Sequence, residues 1–220
     1  HPNLPARRKS VNQSIEQDAE SLVSLLRGYR RVVIAFSGGV DSSVVAAACQ
    51  RAKLEFACAV TAQSPSVPAW QLDTAVAVAS EIGIHHRVVL TGELENLDYQ
   101  RNDSNRCFFC KDTLYASISE LIDKVVDGPS DEVTVVSGTN HDDLGDHRPG
   151  ITAGNRRKVV APLAKLGFGK LKVRALARYF GLSNHDLPAA PCLASRIAYG
   201  VEGTRQRLWK IEQGESWLRN

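Results

Sequence analysis

Residues 37–43 carry the combination of side chains that most directly suggests chemistry, reading Ser-Gly-Gly-Val-Asp-Ser-Ser. Two glycines let a backbone turn tightly and approach a ligand, and a helix that begins here offers unpaired N–H groups and the positive end of its dipole to a phosphate. The hydroxyls of Ser37, Ser42 and Ser43 add donors. The segment lacks the lysine of a Walker A motif and is shorter than one, so transfer of a γ-phosphoryl group is not expected. We therefore predict a phosphate-binding loop.

Five cysteines are present, and their odd number argues against a disulfide framework. Cys49 and Cys58 lie in apolar segments and are expected to be small buried hydrophobes. Cys107 and Cys110 form a C-x-x-C pair at the entrance of a predicted helix, whereas Cys192 lies in a proline-rich loop. Three cysteines suit a [4Fe–4S] cluster with one open iron that can hold an exogenous sulfide. Alternatively, Cys192 alone could donate its own sulfur.

The C-x-x-C pair does not specify its use, because zinc sites, redox pairs and clusters share this spacing. A closed zinc site needs four ligands, and a second cysteine pair is missing. Three histidines could complete such a site, none of them at a diagnostic spacing: His141, His147 and His185. The adjacent cations of Arg106, Lys111 and Arg196 are expected to favour thiolate over thiol.

A second polar segment, residues 138–150, contains three carboxylates and an arginine. It follows a predicted strand, so it should lie at the same edge of the sheet as the phosphate loop. Carboxylates gathered there are costly unless they bind something, although on composition alone a solvated loop is the better interpretation.

The composition is that of an ordinary globular protein, with 220 residues, 43% of them hydrophobic, and a net charge of 27 − 24 = +3. This charge argues against a nucleic-acid partner. The longest apolar stretches, 32–36 and 44–49, are far shorter than the ~18 residues that a membrane span needs. We expect a cytoplasmic protein without a membrane partner. The chain has no methionine and begins at His1, so we expect the native N-terminus to lie outside this sequence.

Apolar strands alternate with amphipathic helices along the chain, which predicts an α/β fold with a doubly wound parallel sheet. Strands are predicted over 32–36, 56–60, 86–90 and 132–137. Helices are predicted from about 42, over 69–82, 111–126 and 170–180, and from about 204. The loops after the strands should line a crevice at their carboxyl ends. We expect a flexible arm over residues 1–13, followed by a helix with a capping box formed by Ser14 and Gln17. A larger domain is expected over 14–165, and a smaller irregular or helical region over 166–220.

The strand, the loop 37–43 and the following helix together resemble the PP-loop family of ATP pyrophosphatases, whose motif is SGGxDS. Further segments resemble the LarE branch of that family, the ATP-dependent sulfur transferases of nickel-pincer cofactor biosynthesis: Ser64-Pro65, 105–115, 138–150 and 188–196. The resemblance implies adenylation of a carboxylate of pyridinium-3,5-biscarboxylic acid mononucleotide, attack by sulfur, and release of AMP as a thiocarboxylate forms. The resemblance implies that 14–165 is a PP-loop ATP-binding domain, that ATP and Mg²⁺ are cofactors, and that sulfide or another sulfur donor is a partner.

The same resemblance implies roles residue by residue. The residues that it places at the pyrophosphate end of ATP are Ser37, Gly38, Gly39, Asp41, Ser42 and Ser43. Gly138 and Thr139 would flank the nucleotide, Ser195 and Arg196 would contact substrate phosphate, and Glu215 is a candidate acidic contact to metal or substrate. The chain stops short of the family's usual end, so the region 166–220 is expected to be truncated. A homo-oligomer is expected.

Members of this branch differ in their sulfur source. Some sacrifice one cysteine, corresponding to Cys192, which becomes dehydroalanine. Others hold a [4Fe–4S] cluster on three cysteines, and because all three are present here we favour a cluster on Cys107, Cys110 and Cys192. The alternatives for the whole protein are a tRNA thiolation enzyme, which would need a broad basic surface, an amidating synthetase, and a non-enzymatic nucleotide sensor.

Overall fold

The computed structural model describes residues 5–125, 129, 132–145 and 148–219. Its parallel strands are β1 (Arg31–Ala35), β2 (Phe56–Gln63), β3 (His85–Leu90) and β4 (Val133–Ser137). Its α-helices are α1 (Pro5–Arg27), α2 (Val40–Ala52), α3 (Ala69–Ile82), α4 (Leu97–Gln100), α5 (Arg106–Val125), α6 (Pro149–Arg156), α7 (Pro162–Lys165), α8 (Lys170–Tyr179) and α9 (Arg205–Arg219).

The central strand β1 is buried on both faces because every one of its inner residues is apolar. Val32 and Ile34 pack in a cluster with α1, α2 and α8, whereas Val33 and Ala35 pack against α5 on the opposite face. Helices therefore cover both faces of the sheet, as parallel strands require. The predicted α/β fold with a parallel sheet is confirmed.

The strand order is β3-β2-β1-β4, so the direction of winding reverses at β1. Ala35 at the end of β1 pairs with Ser137 at the end of β4. The loops that follow these two strands consequently leave the sheet side by side. This is the topological switch point, where open α/β sheets bind their ligands.

Helix α1 begins at Pro5, nine residues before the cap expected at Ser14. The physical reason is that proline is favoured in the first turn of a helix, and neither glycine nor proline interrupts the following residues until Gly28. Residues 5–13 thus continue the helix instead of forming the arm that the sequence suggested. The rest of that predicted arm, residues 1–4, lies outside the described residues.

Helix α5 begins at Arg106, whereas the sequence predicted a start at Lys111. The Asp103 side chain accepts a hydrogen bond from the Asn105 N–H at 2.7 Å, and its carbonyl accepts one from the Arg106 N–H at 3.1 Å. These bonds shape the turn before α5, and the second one pairs the N–H of Arg106, which the helix itself leaves free. Both cysteines of the C-x-x-C pair therefore lie in the first two turns of α5.

The C-terminal region packs against the start of α5 through a separate apolar cluster. Its buried members are Tyr99, Leu193, Ala194, Ile197 and Leu208. In the described part of the chain, no helix is both long enough and apolar enough to cross a membrane.

Candidate active site

The loop between β1 and α2 is held by hydrogen bonds within itself. Ser42 and Ser43 donate through their hydroxyls to the Gly39 carbonyl at 3.0 and 2.9 Å, and the Ser37 N–H donates to the Ser42 hydroxyl at 3.2 Å. Gly38 has a positive φ of 71°, and a Cβ there would lie 2.7 Å from the Ala75 Cα. The serine hydroxyls expected to bind a ligand thus also fix the shape of the loop around the start of α2.

The end of β4 touches this loop directly. A Cβ on Gly138 would lie only 2.6 Å from the Ser42 backbone nitrogen, so no larger residue fits without a backbone shift. The Ser137 and Thr139 hydroxyls lie 3.1 Å apart on either side of this glycine. The structure therefore places the two predicted nucleotide-binding segments against each other.

Asp41, in the first turn of α2, forms an ion pair with Lys170. The Lys170 Nζ lies 2.5 Å from one carboxylate oxygen of Asp41, and the other oxygen is buried without a hydrogen-bond partner among the described residues. The Lys170 backbone N–H donates to Asp142 at 2.7 Å, which anchors the start of α8 beside the loop. Lys170 was not predicted from the sequence, because its contact with Asp41 joins segments 129 residues apart.

The phosphate loop and the C-terminal region line a common cleft of about 180 Å³. Its wall includes 37–41 from the loop, Trp70 and Thr74 from α3, Lys170 from α8, and 187–190 from the segment before Cys192. Glycine N–H groups, a helix start and a lysine on one cleft are the groups that bind phosphates in proteins.

Asn184 attaches the C-terminal region to the phosphate loop. It is buried, and its side-chain amide donates to the Gly38 carbonyl at 2.8 Å and to the Ser43 hydroxyl at 2.9 Å. Nothing in the local sequence singled out Asn184, because the contact spans more than 140 residues along the chain.

The three candidate thiols lie close enough together to interact electrostatically. Burial, helped by negative charge on Glu93, raises the pKa of Cys110 to about 12, and the Lys111 cation only partly opposes this shift. The expectation that neighbouring cations favour a thiolate is therefore wrong for Cys110 when no ligand is bound. Cys107 is exposed, and Cys192 is partly buried.

Arg106 stabilises the Cys192 loop by hydrogen bonds to neutral groups. Its side chain is 6% exposed and donates to the Ala194 carbonyl at 2.7 Å and to the Asn102 amide oxygen. The Leu193 N–H donates to the Ser66 carbonyl at 2.9 Å. The cysteine loop is thus fastened both to α5 and to the loop after β2.

Glu93 is a buried carboxylate beside the cysteines that sequence reasoning missed. One of its oxygens accepts hydrogen bonds from Ser64 and from Ser66, the latter at 2.6 Å, and the other has no partner in the described part of the chain. These contacts orient the Ser64-Pro65 segment that the sequence had marked.

The predicted substrate residues lie together near Cys192. The Ser195 hydroxyl donates to the Cys192 carbonyl at 2.6 Å, and the Arg196 Nε donates to Glu215 at 2.7 Å. Glu215 also lies 3.5 Å from Arg219. In this structure the arginine and the carboxylate are therefore paired with each other.

Two carboxylates of the acidic segment 138–150 are engaged in contacts within the protein. Asp142 caps α8, and Asp143 pairs with Arg148 at 2.6 Å and accepts from the Asn140 N–H at 3.0 Å. Asp146 and the zinc candidate His147 lie outside the described residues.

Within the described residues, no three His, Cys, Asp or Glu side chains are arranged to hold a single metal ion. Neither the zinc alternative with His141 or His185 nor the cluster expected on Cys107, Cys110 and Cys192 gains support from this arrangement. Asp41 nevertheless fits Mg²⁺ binding, because it offers an unpartnered carboxylate oxygen and Mg²⁺ takes one or two protein carboxylates together with substrate phosphates. Cys49 and Cys58 are both buried, as expected.

Comparison with known proteins places this geometry in a family. A family model described as NAD synthase matches residues 13–145, which include the phosphate loop, the C-x-x-C pair and Gly138. An uncharacterized protein of Synechocystis sp. is 40% identical over 205 residues, covering 93% of this chain and 75% of that protein.

The resemblance to LarE proteins is also confirmed. The pyridinium-3,5-bisthiocarboxylic acid mononucleotide synthase of Lactiplantibacillus plantarum is 27% identical over 201 residues, covering 91% of this chain and 71% of that enzyme.

Among solved structures, the NH3-dependent NAD synthetase from Campylobacter jejuni has a TM-score of 0.57 at 19% identity, covering 77% of this chain and 74% of that one. It shares the fold. Together with the family model, which spans more than half of the sequence, these similarities show that the chain belongs to the NAD synthase family of the PP-loop superfamily.

Proposed function

We propose that this protein is an ATP-dependent sulfur transferase that converts a carboxylate of pyridinium-3,5-biscarboxylic acid mononucleotide to a thiocarboxylate for nickel-pincer cofactor biosynthesis. One observation carries the proposal: the segment immediately before Cys192 lines the same cleft as the phosphate loop. An activated carboxylate formed at that loop would therefore lie near a sulfur-bearing residue. The similarity to the L. plantarum enzyme supports this choice of substrate.

In the first step, a substrate carboxylate oxygen bonds to the α-phosphorus of ATP, and the bond to the β-phosphate bridging oxygen breaks. The loop 37–43 holds the departing pyrophosphate through its N–H groups, and Lys170 supplies a positive charge beside Asp41. Mg²⁺, when bound by Asp41, adds charge neutralisation at the phosphates. The product is an acyl adenylate, whose AMP is a far better leaving group than the original oxygen.

In the second step, sulfur attacks the acyl carbon and AMP leaves. If Cys192 is the donor, its thiolate forms a thioester, a base then removes the Cys192 Cα proton, and the Cβ–S bond breaks to give thiocarboxylate and dehydroalanine. In the other route, Cys107, Cys110 and Cys192 would hold a [4Fe–4S] cluster, and the transferred sulfur would come from an added donor in place of the cysteine. The presence of all three cysteines in the sequence favours this second source.

The experiment is a substrate panel assayed by mass spectrometry. With ATP and Mg²⁺, we expect thiocarboxylate and AMP from the biscarboxylate mononucleotide, and no product from ammonia with nicotinic acid adenine dinucleotide or from unmodified tRNA. Amidation of the dinucleotide would instead make the protein an NAD synthetase in activity as well as in family. Thiolation of tRNA alone would also overturn the proposal. Asp41→Asn serves as the control for ATP dependence.

The proposal has further parts, which concern partners, region and location. The partners are a small mononucleotide and a sulfur donor, region 166–220 serves sulfur transfer, and the enzyme acts in the cytoplasm as a homo-oligomer.

A further inference from the structure

A cation and an aromatic ring are stacked at the edge of the cleft. The guanidinium carbon of Arg219, at the end of α9, lies 3.8 Å from the centre of the Trp70 ring at the start of α3. A cation over an indole face is attracted by the negative face of the ring, and of the aromatic side chains tryptophan binds cations best.

A carboxylate lies beside this cation. Glu215 places one oxygen 3.5 Å from Arg219 and the other 2.7 Å from the Arg196 Nε. The Arg219 guanidinium is thus a flat cation stacked on the Trp70 indole, and beside it the Glu215 carboxylate is paired with Arg196. A pyridinium carboxylate is the same pair of groups joined in one molecule.

Trp70 is part of the wall of the cleft. It lines the cleft together with the phosphate loop and 188–190, the residues leading to Cys192. Its indole N–H is buried and has no hydrogen-bond partner among the described residues. A buried donor without a partner costs free energy unless a ligand satisfies it.

We propose that Trp70 is the platform for the cationic ring of the substrate, and that Arg219 and Glu215 fill this subsite in the ligand-free protein as stand-ins for the ring and one of its carboxylates. The inference rests on the proposed function, because it takes the substrate to be a pyridinium carboxylate. When the substrate enters, its ring replaces the Arg219 guanidinium on the indole. Arg196, released from Glu215, then pairs with a substrate carboxylate or phosphate.

The test compares two probes that differ in ring charge, nicotinic acid mononucleotide and its reduced dihydro form, by calorimetric binding to the full chain. The unmodified protein is expected to bind the cationic probe about ten-fold more tightly than the uncharged one. Trp70→Leu should abolish this preference. Trp209→Leu, which removes an exposed tryptophan of α9, is the matched control and should retain it.

The proposal is overturned if Trp70→Leu keeps the preference, if the unmodified protein shows none, or if the substitution weakens only ATP binding, which would assign the indole to adenine. Arg219→Gln gives an independent readout should Trp70→Leu fail to fold. This variant removes the guanidinium that covers the indole, so its affinity for the cationic probe should rise several-fold. An unchanged or lower affinity would refute the stand-in role.

These results separate the two proposals. If the preference for the cationic probe does not depend on Trp70 and the protein still makes thiocarboxylate, only this inference is contradicted. If the preference for the cationic probe depends on Trp70 but the protein makes no thiocarboxylate, only the proposed function is contradicted.

Discussion

The ion pair between Lys170 and Asp41 places a positive and a negative side chain beside the phosphate loop. The lysine comes from a helix more than 120 residues away and lies on the same cleft as the loop glycines. In the proposed reaction it would supply the positive charge that a Walker A loop takes from its own sequence. The free oxygen of Asp41 then remains available to a magnesium ion.

Lys170→Met is expected to lower the rate of AMP formation about 10²-fold, because it removes a fixed charge from the site where pyrophosphate leaves. The measurement is steady-state release of AMP and pyrophosphate. Lys172→Met is the matched control, since Lys172 lies on the same helix but pairs with Asp18 at 3.0 Å. Equal losses in both variants, or full activity of Lys170→Met, would contradict this role.

Cys107 distinguishes the two sulfur sources. A cluster needs its thiolate as a ligand, whereas sacrifice of Cys192 does not. We expect the protein isolated without oxygen to absorb visible light, and Cys107→Ser to lose both this absorption and at least ten-fold of its sulfur transfer. Because Cys107 is exposed, the substitution should not disturb packing.

Sacrifice of Cys192 predicts a different set of observations. A colourless protein in which Cys107→Ser remains active, and whose chain loses about 34 Da after one turnover as Cys192 becomes dehydroalanine, would establish the sacrificial route.

At the scale of elements, the meeting of β4 with the start of α2 sets the geometry of the nucleotide site. Gly138→Ala is expected to destabilise the fold by about 1–3 kcal/mol and to weaken ATP binding, because the added methyl group would lie 2.6 Å from a backbone nitrogen of the phosphate loop. Denaturant unfolding and ATP titration measure the two effects. Gly145→Ala, where the methyl group meets no atom within 4 Å, should change neither. Unchanged ATP binding in Gly138→Ala would show that this contact does not shape the site.

The strands and most helices could be predicted from the sequence because their signals are local. The uniformly apolar run of β1 and the glycine stop of α3 at Gly83 each lie within a few residues of the element that they define. The helix starts were less well predicted. The turn at Asp103 that leads into α5 precedes the helix pattern, and α1 begins nine residues before the cap expected at Ser14.

The site was predicted only in part, for a related reason. The phosphate loop, Gly138 and the cysteines carry recognisable types and spacings. Lys170, Asn184 and Glu93 do not, because each acquires its role from a contact with a distant segment. Such contacts depend on how the chain folds back, which periodicity does not encode.

At the scale of the whole molecule, the C-terminal region folds back onto the nucleotide-binding half. The Ala69 N–H at the start of α3 donates to Glu212 of α9 at 2.8 Å, and Gln71 reaches the Ala190 carbonyl at 3.4 Å. Adenylation and sulfur transfer can therefore share one cleft. A reactive acyl adenylate would not have to leave the protein between the two steps.

The central claim is that a substrate carboxylate attacks the α-phosphorus of ATP, and oxygen labelling tests it most directly. The biscarboxylate mononucleotide is prepared with ¹⁸O in its carboxylates. Each sulfur transfer should then leave one ¹⁸O atom in the released AMP, and pyrophosphate should be the other product formed from ATP. Unlabelled AMP, or ADP and phosphate in place of AMP and pyrophosphate, would contradict the account.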